Sequence, residues 1–481
     1  MNKKFARIVA IVTLIAMLIT TITFVAITPF AFGAARKEHT QAEIDAYRQF
    51  LLENYKDKIS PEMLAGKGID EMTELLHRED PYTEVFKGEE ESGRFAEAVE
   101  GEYLGIGITV SKVEGGVKII AINKSGSAKK AGLKVGDVIV ALDGTDIRNM
   151  DLNKGMDIIK KGKAGTKVNV EFIRDNTKYR ATPTREHTKA ESVQADMLEG
   201  HPGIGYIKIT SFDSDTASEF ADARAELLAK GAKSFIIDLR DNPGGIMEQS
   251  VALAEQIMPK FATITHLSSR GKTVQEHSVR EGTKMLYPTV ALINENSASA
   301  AEILAGALKD NKVAKLVGNT TYGKGVAQQV IGFKNGDVAK VSVYYFTTPN
   351  GNVINKVGVK PDIRVFNPRP ATAGEKQIIA QFASMAGSKK YVQGENGSVV
   401  LGAQQRLSIL GYYDGAFTGY FNKKIATALM EFQKARGIYP YPCLDNMTRN
   451  QLNEAVTEKV DAQKIEKDYQ LERGIKELEA K

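Results

Sequence analysis

Cysteine is almost missing from this 481-residue chain, where Cys443 stands alone. A single thiol excludes an internal disulfide framework and any multi-cysteine zinc or iron–sulfur site. Histidine is sparse too. The 6 histidines (39, 77, 187, 201, 266 and 277) nowhere show H-E-x-x-H spacing, so no catalytic metal is expected. There is no G-x-S-x-G turn to anchor an α/β-hydrolase. A dominant charge is also lacking: 64 basic and 59 acidic residues leave +5, spread along the chain. That balance gives no electrostatic footprint for nucleic acid. One apparent nucleotide loop, Gly318-Asn-Thr-Thr-Tyr-Gly323-Lys324-Gly325, matches G-x-x-x-x-G-K and then fails. Gly325 stands where a Ser or Thr should ligand Mg²⁺, and Val326–Ile331 reads as a strand where a helix should open. No cofactor is expected.

What is present supports packed cores: 42% of residues are hydrophobic and 26% charged. At roughly 150 residues per domain, the length predicts about three domains. At the N-terminus Lys3, Lys4 and Arg7 precede the uncharged run Ile8–Phe32. As a helix this run would extend about 37 Å, enough to cross a ~30 Å hydrocarbon layer. The flanking cations keep the extreme N-terminus in the cytoplasm and put the rest outside. Residues 1–35 therefore predict a single membrane helix in a bacterial cell membrane, with an extracytoplasmic working part. The alternative is a signal peptide cleaved near the small residues Ala31, Gly33 and Ala34, which would give a secreted protein.

The rest predicts a multidomain α/β protein. Residues 36–95 carry apolar positions at helical spacing, with Ser60-Pro61-Glu62 as a helix start and Asp80-Pro81 as a stop. Residues 96–182 turn to short strands and glycine turns with two short helices, a compact β-rich module. Residues 183–366 alternate β and α: Gly205–Ser211, helix Ala217–Lys230, strand Phe235–Leu239, helix Met247–Met258, strand Thr289–Ile293, helix Ala300–Leu308. Residues 367–395 read as a linker, 396–457 as a small helical unit, and 458–481 as a charged helix with few apolar anchors.

One serine and one lysine carry candidate chemistry. Ser299 lies where the strand Thr289–Ile293 gives way to a helix. Backbone N–H groups point outward at such a helix start and can hold a developing oxyanion. A serine hydroxyl needs a base to take its proton. Lys324, flanked by glycines, can be that base only when neutral. Its pKa must then fall by roughly three units, about 4 kcal/mol of desolvation. Gln328, four residues on, can accept a hydrogen bond from the amine. On spacing alone, the commoner role for Ser299 is helix N-cap.

Four ordered motifs resemble the carboxyl-terminal processing proteases: Gly205–Phe212, Asp238-Leu-Arg-Asp-Asn-Pro-Gly-Gly245, Asn294–Ala307 and Tyr322-Gly-Lys-Gly-Val-Ala-Gln328. The resemblance implies a protease core with a catalytic Ser299, Lys324 and Gln328, and the Ser-to-Lys gap of 25 residues selects Ser299 over Ser297. It implies oxyanion donors on Ala300 and on Gly244 or Gly245. Asn296 stands where many relatives carry glycine. Residues 96–182 resemble a PDZ domain, through Tyr103–Ile108 and Ser127-Ala-Lys-Lys-Ala-Gly-Leu-Lys-Val-Gly-Asp137. Leu104, Gly105, Ile106, Gly107 and Ile108 would then bind a peptide's C-terminal carboxylate, an anion nest beside a strand edge. Arg174 resembles a gating residue that senses substrate. Residues 396–457 resemble a peptidoglycan-binding domain, except that Tyr439–Asp445 replaces its later G-x-x-D stretch. The implied function is an extracytoplasmic serine endopeptidase that docks substrate C-termini and cleaves upstream. Its implied partners are proteins or peptides with free C-termini, peptidoglycan, and a second copy of the chain paired through the terminal helices. A non-catalytic wall scaffold is the competing class, and it predicts a degenerate Ser-Lys-Gln set.

Overall fold

The computed structural model describes residues 38–480 apart from 124–125, 190, 284–286, 368–370 and 462–467. The expected membrane helix or signal peptide lies outside these. Among the described residues, no helix is long and apolar enough to cross a membrane.

A six-stranded sheet organises the protease region. Its order is Val193–Met197, Ile204–Ile209, Ser234–Asp238, Thr289–Ile293, Ala314–Gly318, Ile363–Arg364. The first pair is antiparallel and all the others are parallel. Parallel strands are covered on both faces, which is why Thr289–Ile293 is an unbroken apolar run with every residue buried. One face packs on helices Thr216–Ala229, Met247–Ile257 and Ala300–Asp310, through Phe220, Leu253, Ile303 and Leu304. On the other face lies the terminal helix Tyr469–Glu479, whose Ile475 and Leu478 are buried against Ile236, Val290, Leu292 and Val317. The charged tail thus has its apolar anchors after all, and they are used inside its own chain rather than left for a second copy.

A second, antiparallel sheet joins Thr263–Ser269, Lys272–Ser278, Val326–Gly332 and the long strand Val338–Thr347. Its remaining strand, Glu84–Phe86, comes from the N-terminal segment and pairs with Val338–Lys340. The helices Gln41–Asn54 and Ile69–His77 pack on this sheet through Tyr47, Leu51, Met72 and Leu76. The N-terminal segment is therefore part of the protease wall.

The β-rich module is an antiparallel sheet, Ile108–Val113, Gly116–Ile122, Val138–Leu142, Val170–Arg174, Thr177–Ala181, with helices Ser127–Lys130 and Leu152–Lys160. A two-stranded ribbon, Glu102–Gly105 on Glu186–Lys189, joins its entry to its exit. The C-terminal unit packs Ser398–Ile409, Lys423–Ala435 and Asn446–Asp461 around Leu407, Phe421, Leu429, Phe432 and Leu452. The expected linker 367–395 holds the helix Ala373–Ile379. It is capped by Thr372 and Glu375 in a reciprocal T-x-x-E box that its small residues had masked.

Candidate active site

Ser299 follows the tight turn that ends the strand Thr289–Ile293 and heads the helix Ala300–Asp310, whose residues Ala300–Leu308 are all buried. Its backbone has φ 55° and ψ −117°, a region most L-residues avoid at a cost of order 1–3 kcal/mol. Three neighbours hold it there. Ser297 donates its hydroxyl to the Leu239 carbonyl at 2.8 Å, Ala298 N–H bonds the Asn242 carbonyl at 2.9 Å, and Ser299 N–H bonds Glu302 Oε2 at 2.8 Å. Ser297 is fully buried and its hydroxyl is committed, so it is a structural residue. Ser299 occupies the N-cap position, yet Glu302 N–H bonds its backbone carbonyl at 2.8 Å rather than its hydroxyl. The half-buried Ser299 hydroxyl has no capping bond.

Glu302 joins the serine to the lysine. Its carboxylate is fully buried and accepts four hydrogen bonds. Thr321 Oγ1 and Gly323 N–H reach Oε1 at 2.5 and 2.7 Å, while Ser299 N–H and Lys324 N–H both reach Oε2 at 2.8 Å. Two amides on one oxygen lie within twice that distance of each other. The backbones of Ser299 and Lys324 are therefore neighbours. Burial pushes the Glu302 carboxyl upward, and the four donors work against that push. Sequence reasoning passed over this residue, although Ser299-x-x-Glu302 has capping-box spacing.

Among the described residues, the Lys324 amine forms no hydrogen bond or ion pair. Burial, helped by the charge of Lys340, brings its pKa from 10.5 down to about 8 against the pull of Glu84, Asp80 and Glu302. Its head lies over the Tyr82 ring, 5.0 Å from the centroid. Tyr82 is set there by a turn in which Asp80 Oδ2 accepts from Thr83 Oγ1 at 2.8 Å, and Thr83 Oγ1 accepts from Ser342 N–H at 3.1 Å. Burial and a hydrogen bond with Tyr322 push the Tyr82 phenol up to about 12. The sequence signalled only a helix stop at Asp80-Pro81, so Tyr82 was missed. Gln328 lies in Val326–Gly332, opposite Ser342 and just past a register shift. Among the described residues its Nε2 is buried without a hydrogen-bond partner, as is Ser342 Oγ.

The turn Asp238–Gly245 forms the other wall. Asn242 spans it, donating Nδ2 to the Ile209 carbonyl at 2.9 Å and accepting Gly244 N–H at 2.8 Å. Gly244 has φ 98°, and a Cβ on it would sit 2.6 Å from Ser299 Cβ and 3.0 Å from Ala300 N. Among the described residues, the N–H groups of Ala300 and Gly245 have no intramolecular partner, whereas that of Gly244 is taken. The backbones of Ser299, Ala300, Lys324 and Gly244 are thus brought together, while the Ser299 hydroxyl and the Lys324 amine do not bond one another.

Residues 203–365 match Peptidase family S41, residues 105–182 a PDZ domain, and residues 396–440 a putative peptidoglycan binding domain. The chain is 31% identical over 434 residues to the carboxy-terminal processing protease CtpA of Bacillus subtilis (strain 168), covering 90% of this chain and 89% of that one. It belongs to peptidase family S41, among the carboxy-terminal processing proteases. CtpB of the same organism is 30% identical over 457 residues, or 94% of this chain and 92% of its own. Among solved structures, the photosystem II D1 C-terminal processing protease aligns at TM-score 0.45 and 24% identity, over 70% of this chain and 96% of that one. This S41 protein is therefore a serine-type peptidase with PDZ and peptidoglycan-binding domains.

The expected peptide-binding residues lie apart from the serine, in the PDZ domain. Leu104 and Gly105 end the strand Glu102–Gly105, and Ile108 opens Ile108–Val113. Between them Gly107 has φ 78°, and a Cβ there would come within 3.0 Å of Gly126 Cα, so two glycines pack back to back in this turn. The strand Ile108–Val113 is an edge. Its half-buried Ile108 and Val110, with Leu152 and Met156 of the helix Leu152–Lys160, flank the buried core of Ile106, Ile119 and Leu133. Arg174 also stays within this domain. It bonds Asp137 Oδ1 and Oδ2 at 2.7 Å and the Gly132 carbonyl at 2.9 Å, and stacks on Phe172. One cluster of possible metal ligands, His39, Asp70 and Asp337, already surrounds an ammonium: Lys87 contacts Asp70 and lies 3.3 Å from Asp337 Oδ2.

Proposed function

We propose that this S41 peptidase is an extracytoplasmic endopeptidase that hydrolyses peptide bonds with a Ser299–Lys324 dyad. The neutral Lys324 amine takes the Ser299 hydroxyl proton as Oγ attacks the scissile carbonyl. The negative oxygen is held by the N–H groups of Ala300 and Gly245. Collapse breaks the C–N bond, and Lys324 returns its proton to the departing amine. A water molecule then hydrolyses the acyl-enzyme by the same proton path. Gln328 orients the amine through its side-chain amide. The observation that carries this reading is a mostly buried lysine head that, among the described residues, has no carboxylate partner, on a backbone bonded to the same glutamate oxygen as the serine. Such an amine can lose its proton near neutral pH. Gly245 is preferred to Gly244 because the Gly244 amide already serves Asn242.

The substrate is an extended chain end, its carboxylate at the glycine turn Leu104–Ile108 and its apolar last side chain between Ile108 and Met156. Cleavage falls upstream of that end. The apolar run Ile8–Phe32 supports attachment to, or export across, a bacterial cell membrane. The C-terminal unit supports a position at peptidoglycan, and a homodimer remains part of the proposal. The test is digestion of casein by protein lacking residues 1–35, beside Ser299→Ala and Lys324→Ala. Both variants are expected to lose hydrolysis; cleavage equal to the parent in either removes it from the dyad.

A further inference from the structure

Helix Tyr469–Glu479 lies beyond the peptidoglycan-binding unit, yet its first residues reach the turn that walls the serine. Asp238 ends the strand Ser234–Asp238 and is fully buried. It accepts Arg240 Nε at 2.9 Å on Oδ1, Arg240 Nη2 at 2.6 Å on Oδ2, and Tyr206 OH at 2.6 Å. The remaining arm of Arg240 turns away to the tail. Nη1 donates to Asp468 Oδ1 at 2.8 Å and to Gln470 Oε1 at 3.2 Å. Only 11% of the Arg240 side chain is exposed, so the guanidinium is gripped on two sides with little solvent to screen it. Desolvation of Arg240 is outweighed by Asp238 and Asp468, which hold it charged.

Asp468 is fixed in turn. It caps its own helix by accepting Leu471 N–H at 2.9 Å, and it accepts Asn367 Nδ2 at 2.8 Å. Gln470 N–H bonds Asn367 Oδ1 at 3.0 Å, and Gln470 Nε2 bonds the Val365 carbonyl at 2.8 Å. The chain entering the C-terminal unit at 365–367 and the chain leaving it at 468–470 are thus stapled together against Arg240. The small domain is an insertion between the last protease strand and the helix that closes the sheet. Three residues beyond Arg240 come Pro243 and then Gly244, and the intervening Asn242 bonds Ala298 N–H and Gly244 N–H. Rotation of Arg240 would therefore be felt where the oxyanion donor sits.

We propose that Asp468, acting through Arg240, is a positioning residue for the oxyanion side of the active site, supplied by the tail after the C-terminal domain has been traversed. This rests on the Ser-Lys reading. The tail does not touch substrate; it fixes the register of the turn Asp238–Gly245 against Ser299. A loosened turn would leave substrate docking intact and weaken only the grip on the tetrahedral species.

The test uses the full chain carrying Asp468→Asn, which keeps an oxygen for the Leu471 cap and removes the charge facing Arg240. Asp468→Glu is the conservative companion. Ile475→Ala loosens the same helix through packing alone. Three quantities are read: kcat and KM on a peptide ending in an apolar residue, affinity for a peptide boronate that forms a tetrahedral adduct with Ser299, and the thermal midpoint. In Asp468→Asn, kcat and boronate affinity are expected to fall together by about tenfold, with KM within twofold of the parent. Asp468→Glu recovers most of the loss. Ile475→Ala lowers the midpoint with kcat per folded molecule unchanged. An unchanged kcat in Asp468→Asn, a rise in KM without loss of boronate affinity, or an equal kcat loss in Ile475→Ala overturns the proposal. Should Asp468→Asn fail to fold, Asp468→Ser takes its place: it keeps an N-cap oxygen for Leu471 N–H without the charge, and boronate affinity equal to that of the parent overturns the proposal. Hydrolysis persisting in Ser299→Ala overturns the dyad itself, which is a separate failure.

Discussion

Lys324 makes the pH dependence of hydrolysis a sharp measurement. Its pKa of about 8, set mainly by burial, leaves roughly one tenth of the amine neutral at pH 7 and roughly nine tenths at pH 9. Since kcat/KM reports the free enzyme, it should climb about tenfold over those two units and level off near pH 9. An ordinary lysine at 10.5 would instead give about a hundredfold rise with no plateau. The same displacement has a stability consequence of definite sign. The unfolded lysine titrates at 10.5 and the folded one at about 8, so the folded state bears the cost of a desolvated charge at every pH below 8. Between pH 8 and 10.5 the unfolded chain binds the extra proton, and that cost fades as pH rises. At about 1.4 kcal/mol per unit it amounts to at most about 3.5 kcal/mol. Lys324→Met should therefore abolish hydrolysis while raising the urea midpoint at pH 7, with the gain shrinking toward pH 10. Stopped peptide-cleavage assays between pH 6 and 10, with urea melts of parent and variant, measure both. A continuous rise to pH 10, or a variant less stable than the parent at pH 7, would refute the argument that Lys324 is a desolvated base.

Tyr82→Leu removes the ring face that favours the ammonium. An interaction of about 0.5–1 kcal/mol shifts the midpoint of the pH profile downward by about half a unit, readable in the same assay. Glu302→Gln turns one carboxylate oxygen into an N–H₂ group facing two existing donors. It should lower stability by about 2–3 kcal/mol, and hydrolysis per folded molecule should fall further still, measured by urea melts and active-site titration. Gly244→Ala places a methyl group against Ser299 Cβ and Ala300 N at a backbone angle alanine resists. Its kcat should drop by about 10²–10³ with KM little changed, the signature of a lost oxyanion site.

The elements that carry this chemistry were legible because their sequence pattern matches their burial. Thr289–Ile293 is a short β-branched and apolar run that sits at the centre of a doubly covered sheet, and its boundaries agree residue for residue. The helix after Ser299 is similarly plain, a run of small and aliphatic residues buried on every side. What escaped was long-range. Nothing local to Asp80-Pro81-Tyr82 says that its ring will cover a lysine 242 positions later; that follows only from Glu84–Phe86 joining the strand Val338–Thr347. Nor does the charge-rich tail announce that Ile475 and Leu478 fill the open face of the protease sheet. Leu471, Ile475 and Leu478 make only a narrow stripe among six polar or charged residues, and the face it covers lies far back in the chain. The motifs supply Ser299, Lys324 and the Glu302 that bonds both backbones, whereas the ring over Lys324 and the carboxylate on Arg240 come from segments far away in sequence. An active site assembled this way can fail by loosening at residue 82 or 468 with every motif residue intact, and for that reason the boronate affinity of tail variants says more about the fold than any substitution of Ser299.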